Sequence, residues 1–268
     1  MLCQKLHSNL QIYTRALDMI RLTTRNIAIM AVFAALYYVL SIISPYIPAI
    51  GVPNIQIHLE ALIASVFGLI LGPYLGFLTA FMGAFVAWVL PPGNMSSFSM
   101  PFLLAPPLNA LIVGLIYYKK WKQAFAILSL LIIAFLFLPP SQPLTEYWYV
   151  GVAVIWDKII ALLLILPCAK LAKRFSSIKS VSILYFLLAF IGNQADNAWG
   201  SDIFAVPIVY NGIFGMDVVA TRAAFLISPF IYPTIRLIQA VLAAIIAVPL
   251  LSALRNAGWT LQEKTIVD

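Results

Sequence analysis

From Asn26 to Tyr118 the chain carries a single charged side chain, Glu60. That stretch constrains the fold more than any other feature. A soluble domain carries roughly 25% charged residues, and nothing in this stretch could cover a water-facing surface. A membrane-spanning helix needs about 20 mostly apolar residues, so several fit here. Only 9% of the whole chain is charged, 63% is hydrophobic, and the mean hydropathy is +1.01. Open sheets are excluded in lipid because every backbone polar group must be paired internally. The alternating pattern of a membrane β-barrel is missing, since the apolar runs are continuous. The expected fold is an all-α polytopic transmembrane bundle.

Eight apolar segments are legible, at approximately Asn26–Ile43, His58–Leu71, Tyr74–Leu90, Phe102–Tyr118, Ala124–Leu138, Val150–Ala169, Val181–Trp199 and Ser228–Leu254. The second and fifth are short for a span, which gives about six to eight crossings. Pro73 cannot continue a preceding helix, so Gly72-Pro73 is read as a tight helical hairpin. The organisation expected is an amphipathic N-terminal arm (residues 1–25), one transmembrane domain (26–255) and a short tail (256–268). No cleavable signal is evident in the polar, basic first segment.

Charge gives an orientation. Of the 16 Lys and Arg residues, all but Lys158, Arg222 and Arg236 fall in the N-terminal arm, the loop Lys119-Lys120-Trp121-Lys122, the loop from Lys170 to Lys179, or the tail. By the positive-inside rule these are cytoplasmic, with both termini inside a cell membrane that the chain crosses several times. The opposite loops are rich in Pro, Asn, Ser and Gly, as in Pro45-Tyr46-Ile47-Pro48 and Pro91-Pro92-Gly93-Asn94. They read as ordered outer lids. The last of them, Gly200 to Ile227, is half apolar and reads as dipping into the membrane or lying on its surface. The net charge of +7 follows topology and points to no nucleic acid. Cys3 and Cys168 fit neither a disulfide framework nor a metal site. No phosphate loop, HExxH, GxSxG or CxxC is present, so neither a cofactor nor an enzymatic activity is expected.

Polar groups at membrane depth are costly and mark functional sites. The richest set is Asn193, Gln194, Asp196 and Asn197, followed by Trp199 and Asp202. Asn193, Asp196 and Asn197 share a helical face, suited to hydrogen-bonding and stacking a small organic ligand. A helix end rising into water would leave the same residues solvated. A second set is Asn54, Gln56, His58 and Glu60, and a third is Trp88, Asn94, Ser96 and Ser97. Glu60 could equally stabilise a helix N-terminus, and Trp88 could be an interfacial belt residue. Asn109 is read as satisfying carbonyls freed by Pro106-Pro107. Asp157 and Lys158, adjacent on one helix, are expected to pair with other helices or snorkel. Arg236 needs a partner, with the acidic residues Asp196, Asp202 and Asp217 as candidates and an anionic ligand as the alternative. Ala28, Ala31 and Ala35 form a small-residue face of the kind that lets helices approach closely.

Three stretches resemble the substrate-binding S components of energy-coupling factor (ECF) transporters, the membrane vitamin-uptake systems. They are Arg25-Asn26-Ile27-Ala28 through Ala34-Ala35-Leu36; Ile55 to Glu60 followed by Phe67-Gly68 through Gly72-Pro73-Tyr74-Leu75-Gly76; and Pro229 to Leu254. That family usually has six core helices. The resemblance implies a subunit that captures a vitamin-like molecule at its outer side and depends on a transmembrane coupling subunit and two cytoplasmic ATPases. It implies a pocket drawn from Asn54, Glu60, Trp88, Asn94, Asn193, Asp196, Asn197 and Trp199, and a docking face at Ala28, Ala31 and Ala35. An autonomous secondary carrier or a membrane-embedded enzyme is the alternative. No internal repeat and no convergent acid/base set favours either.

Overall fold

The computed structural model describes residues 23–43, 46–48, 56–58, 62–171 and 178–256. The expected arm and tail, together with Asn54 and Glu60, lie outside the described residues, apart from the few positions at the arm and tail edges. Helix α1 is Thr24–Ile43, and a two-stranded ribbon of β1 (Tyr46–Pro48) and β2 (Gln56–His58) follows. The strands are antiparallel, with Ile47 opposite Ile57. Then come α2 (Ile63–Val89), α3 (Ala105–Tyr117), α4 (Trp121–Leu136), α5 (Leu144–Leu171), α6 (Ile178–Phe204), a single turn α7 (Pro207–Tyr210) and α8 (Val218–Asn256). This is the expected all-α bundle.

Helix α2 is two arms. Gly72 sits at φ +80°, ψ 180°, a conformation that residues with a Cβ rarely adopt. Pro73 then starts the second arm with its fixed φ and no N–H to lose. The chain reverses so sharply that a Cβ on Gly76 would lie 2.9 Å from the Gly68 Cα. In a straight helix these residues would be about 12 Å apart. Pro73 cannot donate to the carbonyl of Leu69, and the Tyr118 hydroxyl donates to that oxygen instead, at 3.2 Å. Burial pushes the Tyr118 phenol up from its ordinary pKa, so the hydroxyl keeps the proton it donates. The predicted hairpin at Gly72-Pro73 is therefore present, and each of the eight apolar segments corresponds to one helix or one arm.

Among the described residues, five stretches are long and apolar enough to cross a membrane: Thr24–Ile43, Ile63–Val89, Met100–Tyr117, Leu144–Leu171 and Ile231–Leu254. Helix α6 is as long as α2, but its polar residues dilute its apolar character. Contacts between turns show how the helices alternate. At one end Tyr118 meets the 72–73 turn, Lys120 lies over the Tyr74 ring and Tyr117 packs on Tyr185. At the other end the Tyr38 hydroxyl donates to the Pro91 carbonyl, and Phe214 gathers Phe98, Phe102 and Phe204. The first and last described helices therefore begin and finish at the end that carries Lys119, Lys120 and Lys122.

Arg222 was the one basic residue in the Pro-rich outer loops. Its Nε donates to the Pro140 carbonyl, and one terminal nitrogen donates to Pro139 and Gln142. The guanidinium also lies 3.3 Å from the centre of the Tyr147 ring. The long outer segment from Gly200 to Ile227 is shorter than expected. Residues 200–204 extend α6 and residues 218–227 belong to α8. The tip between them buries Val209, Tyr210 and Phe214.

Candidate ligand site in the helical core

The polar residues of α6 turn inward. Asn193, Gln194, Asp196, Asn197 and Asp202 are all buried, so they are not a helix end rising into water. A hydrogen-bonded chain runs through Asn193 and Asp196 across four helices. Ser65 of α2 donates to Asn109 Oδ1 at 3.0 Å, and Asn109 Nδ2 of α3 donates to Asn193 Oδ1 at 2.8 Å. Asn193 Nδ2 donates to the Arg236 carbonyl of α8 at 3.4 Å. The Arg236 guanidinium bonds Gln239 Oε1 at 2.9 Å and pairs with Asp196 Oδ1 at 2.8 Å. Gly192 permits the α3–α6 approach, since a Cβ there would collide with Asn109 Oδ1 and Val113.

Two expectations are corrected here. Asn109 does not repair carbonyls freed by Pro106-Pro107. Those prolines occupy the first turn of α3, where the missing N–H has no intrahelical partner to deprive. The Asn109 amide instead joins α2 to α6. Asp157 and Lys158 do not pair with other helices. Lys158 Nζ lies 3.1 Å from Asp157 Oδ1, and the Lys158 backbone N–H donates to the same oxygen at 2.9 Å. Their Cβ atoms diverge, but the flexible lysine stem folds back, and with both groups buried no water competes.

The third candidate set belongs to a local turn. Trp88 Nε1 donates to the Ser96 carbonyl at 2.9 Å, and the indole packs on Phe85. Exposed Asn94, at φ +49°, donates to the Pro92 carbonyl. Of the expected pocket, then, Asn193, Asp196 and Asn197 cluster in the core with Trp199 beside them, whereas Trp88 and Asn94 build the loop after α2. Ser65, Asn109 and Gln239 were not among the expected pocket residues. Ser65 and Asn109 each stand among apolar neighbours, and Gln239 lies three residues from Arg236, which were the available signals.

Several buried atoms of this core have no hydrogen-bond partner: both amide atoms of Gln194, Asn197 Nδ2, Trp199 Nε1, Asp202 Oδ2 and Arg236 Nε. Such groups cost about 1–3 kcal/mol each when left unpaired, and here they gather on two facing helices, α6 and α8. They offer donors, acceptors, a carboxylate and an indole. Beyond them, towards the end opposite Lys119 and Lys120, lies a layer of rings. Phe204 contacts Phe214 and Phe225, Phe225 packs on Phe135, and Phe102 faces Gly200. Among the described residues no group of His, Cys, Asp and Glu could hold a metal ion.

Fold and core together define a multi-pass helical membrane protein with a polar, ion-paired centre. Residues 21–139 match the family model described as the S component of the ECF-type riboflavin transporter. Over those residues the resemblance to S components is borne out, and with it a relationship to transporter components rather than to an enzyme family. A UPF0397 protein of Streptococcus gordonii is 33% identical over 94 residues, which cover 35% of this chain and 47% of that protein. The chain thus spans about half the length of the curated relative it matches. No solved structure matches it significantly.

Proposed function

We propose that this protein is the membrane substrate-binding subunit of an ECF-type importer. It captures a vitamin-like small molecule at the outer face of the cell membrane, between α6, α8 and the aromatic layer above them. A separate transmembrane coupling subunit and two cytoplasmic ATPases drive release. The observation that carries this reading is the set of unpaired buried donors and acceptors on α6 and α8, in a chain whose first half matches an S component. The lack of a phosphate loop in the sequence agrees with ATP hydrolysis supplied by partners. On α1, Ala28, Ala31 and Ala35 are exposed, while Ile29, Phe33 and Tyr37 face the bundle, so the small-residue face is open for the coupling subunit.

The family's riboflavin does not transfer automatically. The match covers residues 21–139, and the polar core is completed by Asn193 to Asp202 and by Arg236. The direct test is mass spectrometry of small molecules retained by the full chain after mild purification, joined to uptake assays with and without ATPase partners. A retained organic ligand and partner-dependent uptake are expected. Unaided, ion-gradient-driven transport in liposomes would overturn the proposal in favour of an autonomous carrier.

A further inference from the structure

The buried charges of the core do not balance. Among the described residues, the buried Asp, Glu, Lys and Arg side chains are Asp157, Lys158, Asp196, Asp202 and Arg236. Two ion pairs, Asp157–Lys158 at 3.1 Å and Asp196–Arg236 at 2.8 Å, use both cations. Asp202 remains. It lies within electrostatic reach of Lys158, which is already paired, and its Oδ2 has no hydrogen-bond partner. It stands about two turns from Gln194 on the same helix, close to Trp199, whose indole N–H is also unpartnered. A lone carboxyl at membrane depth is unfavourable as a carboxylate and is held ionised only where a countercharge meets it.

We propose that Asp202 is the countercharge for a cationic nitrogen of the bound ligand, so the site selects a small molecule carrying a protonated amine, an amidinium or a cationic ring nitrogen. The Gln194 amide, with donor and acceptor both free, and the Trp199 indole meet the ligand's polar, planar part. This inference rests on the ligand-capture reading above and gives its substrate a charge class. It departs from the uncharged riboflavin named by the family model, whose match stops before α6.

The test uses the full chain in detergent with six probes: thiamine and choline as cations, riboflavin and pyridoxine as uncharged compounds, biotin and pantothenate as anions. Thermal shift and titration calorimetry are the readouts. Saturable binding of a cation is expected, weakened about tenfold or more by Asp202→Asn and retained by Asp202→Glu. A tenfold loss corresponds to about 1.4 kcal/mol. The unliganded Asn variant should melt no lower than the wild type, because it keeps the shape and replaces a buried carboxyl whose charged form has no cation of its own. If it fails to fold, the Glu variant alone carries the test and must still bind the cation. Binding confined to uncharged or anionic probes, or cation binding unchanged by Asp202→Asn, overturns the charge assignment and leaves ligand capture standing. Failure of all six to bind overturns ligand capture, and this inference with it.

Discussion

Asn109 of α3 and Asn193 of α6 share a 2.8 Å hydrogen bond with both side chains buried. Asn109 also accepts from Ser65, so one amide holds three helices in register. Interhelical hydrogen bonds in membrane proteins average about 0.6 kcal/mol and reach about 1.7. Asn109→Leu is therefore expected to cost roughly 1–2 kcal/mol, because it deletes two such bonds and leaves Asn193 Oδ1 unpaired. Thermal unfolding in detergent should show a fall of several degrees, since about 2–4 °C accompanies each kcal/mol in a chain of this size. An unchanged melting temperature would mean that Asn109 merely fills space.

The Asp196–Arg236 pair makes a larger demand. Breaking a buried pair from one side costs about 3–5 kcal/mol, whereas replacing both partners by uncharged groups is often neutral. Arg236→Met should therefore destabilise the protein severely, and Asp196→Asn combined with Arg236→Met should recover most of the loss. The double-mutant cycle is read by denaturation midpoint. Additive effects would show that the 2.8 Å contact carries no coupling.

Much of this core was legible as spacing. Asn193 and Asp196 lie three residues apart, and a charged Arg236 in an apolar segment needed an acid. The Gly72-Pro73 hairpin was equally legible, since the two residues have conformational properties independent of context. What escaped was anything set by a partner helix. Asn109 looked like a local repair because sequence shows its two preceding prolines and not the Asn193 amide facing it. Lys158 looked like a group seeking a distant partner because helical spacing fixes Cβ directions, not the path of a long flexible side chain. Trp88 and Asn94 carry the residue types of a pocket, yet their polar atoms close the turn around residues 90–96, where backbone groups were the nearest acceptors.

The α2 hairpin gives a conformational test. The Tyr118 hydroxyl serves a carbonyl that Pro73 leaves without its helical donor, and such a bond contributes about 1 kcal/mol. Tyr118→Phe should lower stability by that amount and leave ligand binding in place, because Tyr118 lies at the end opposite the aromatic layer. Gly72→Ala should cost about 1–3 kcal/mol. The added methyl would lie 3.6 Å from the Tyr118 ring, an ordinary contact, so the penalty comes from φ +80° and not from collision. Equal stability of Gly72→Ala and wild type in thermal unfolding would show that the turn relaxes to another conformation.

The small-residue face of α1 separates binding from transport. Ala28, Ala31 and Ala35 are exposed, on the side away from Ile29, Phe33 and Tyr37. A bulky side chain at Ala31 touches nothing in the bundle and should leave melting temperature and ligand affinity unchanged. Close helix approach in lipid depends on small residues at the contact, so the same substitution should block a coupling subunit that docks there. Ala31→Trp is expected to abolish partner-dependent uptake in proteoliposomes, and Leu36→Trp, on the flank of that face, to reduce it far less. Uptake that survives Ala31→Trp would move the docking surface off α1. Ligand affinity that falls in parallel with uptake would mean that the substitution disturbs the fold, since α1 contributes no side chain to the polar core described above.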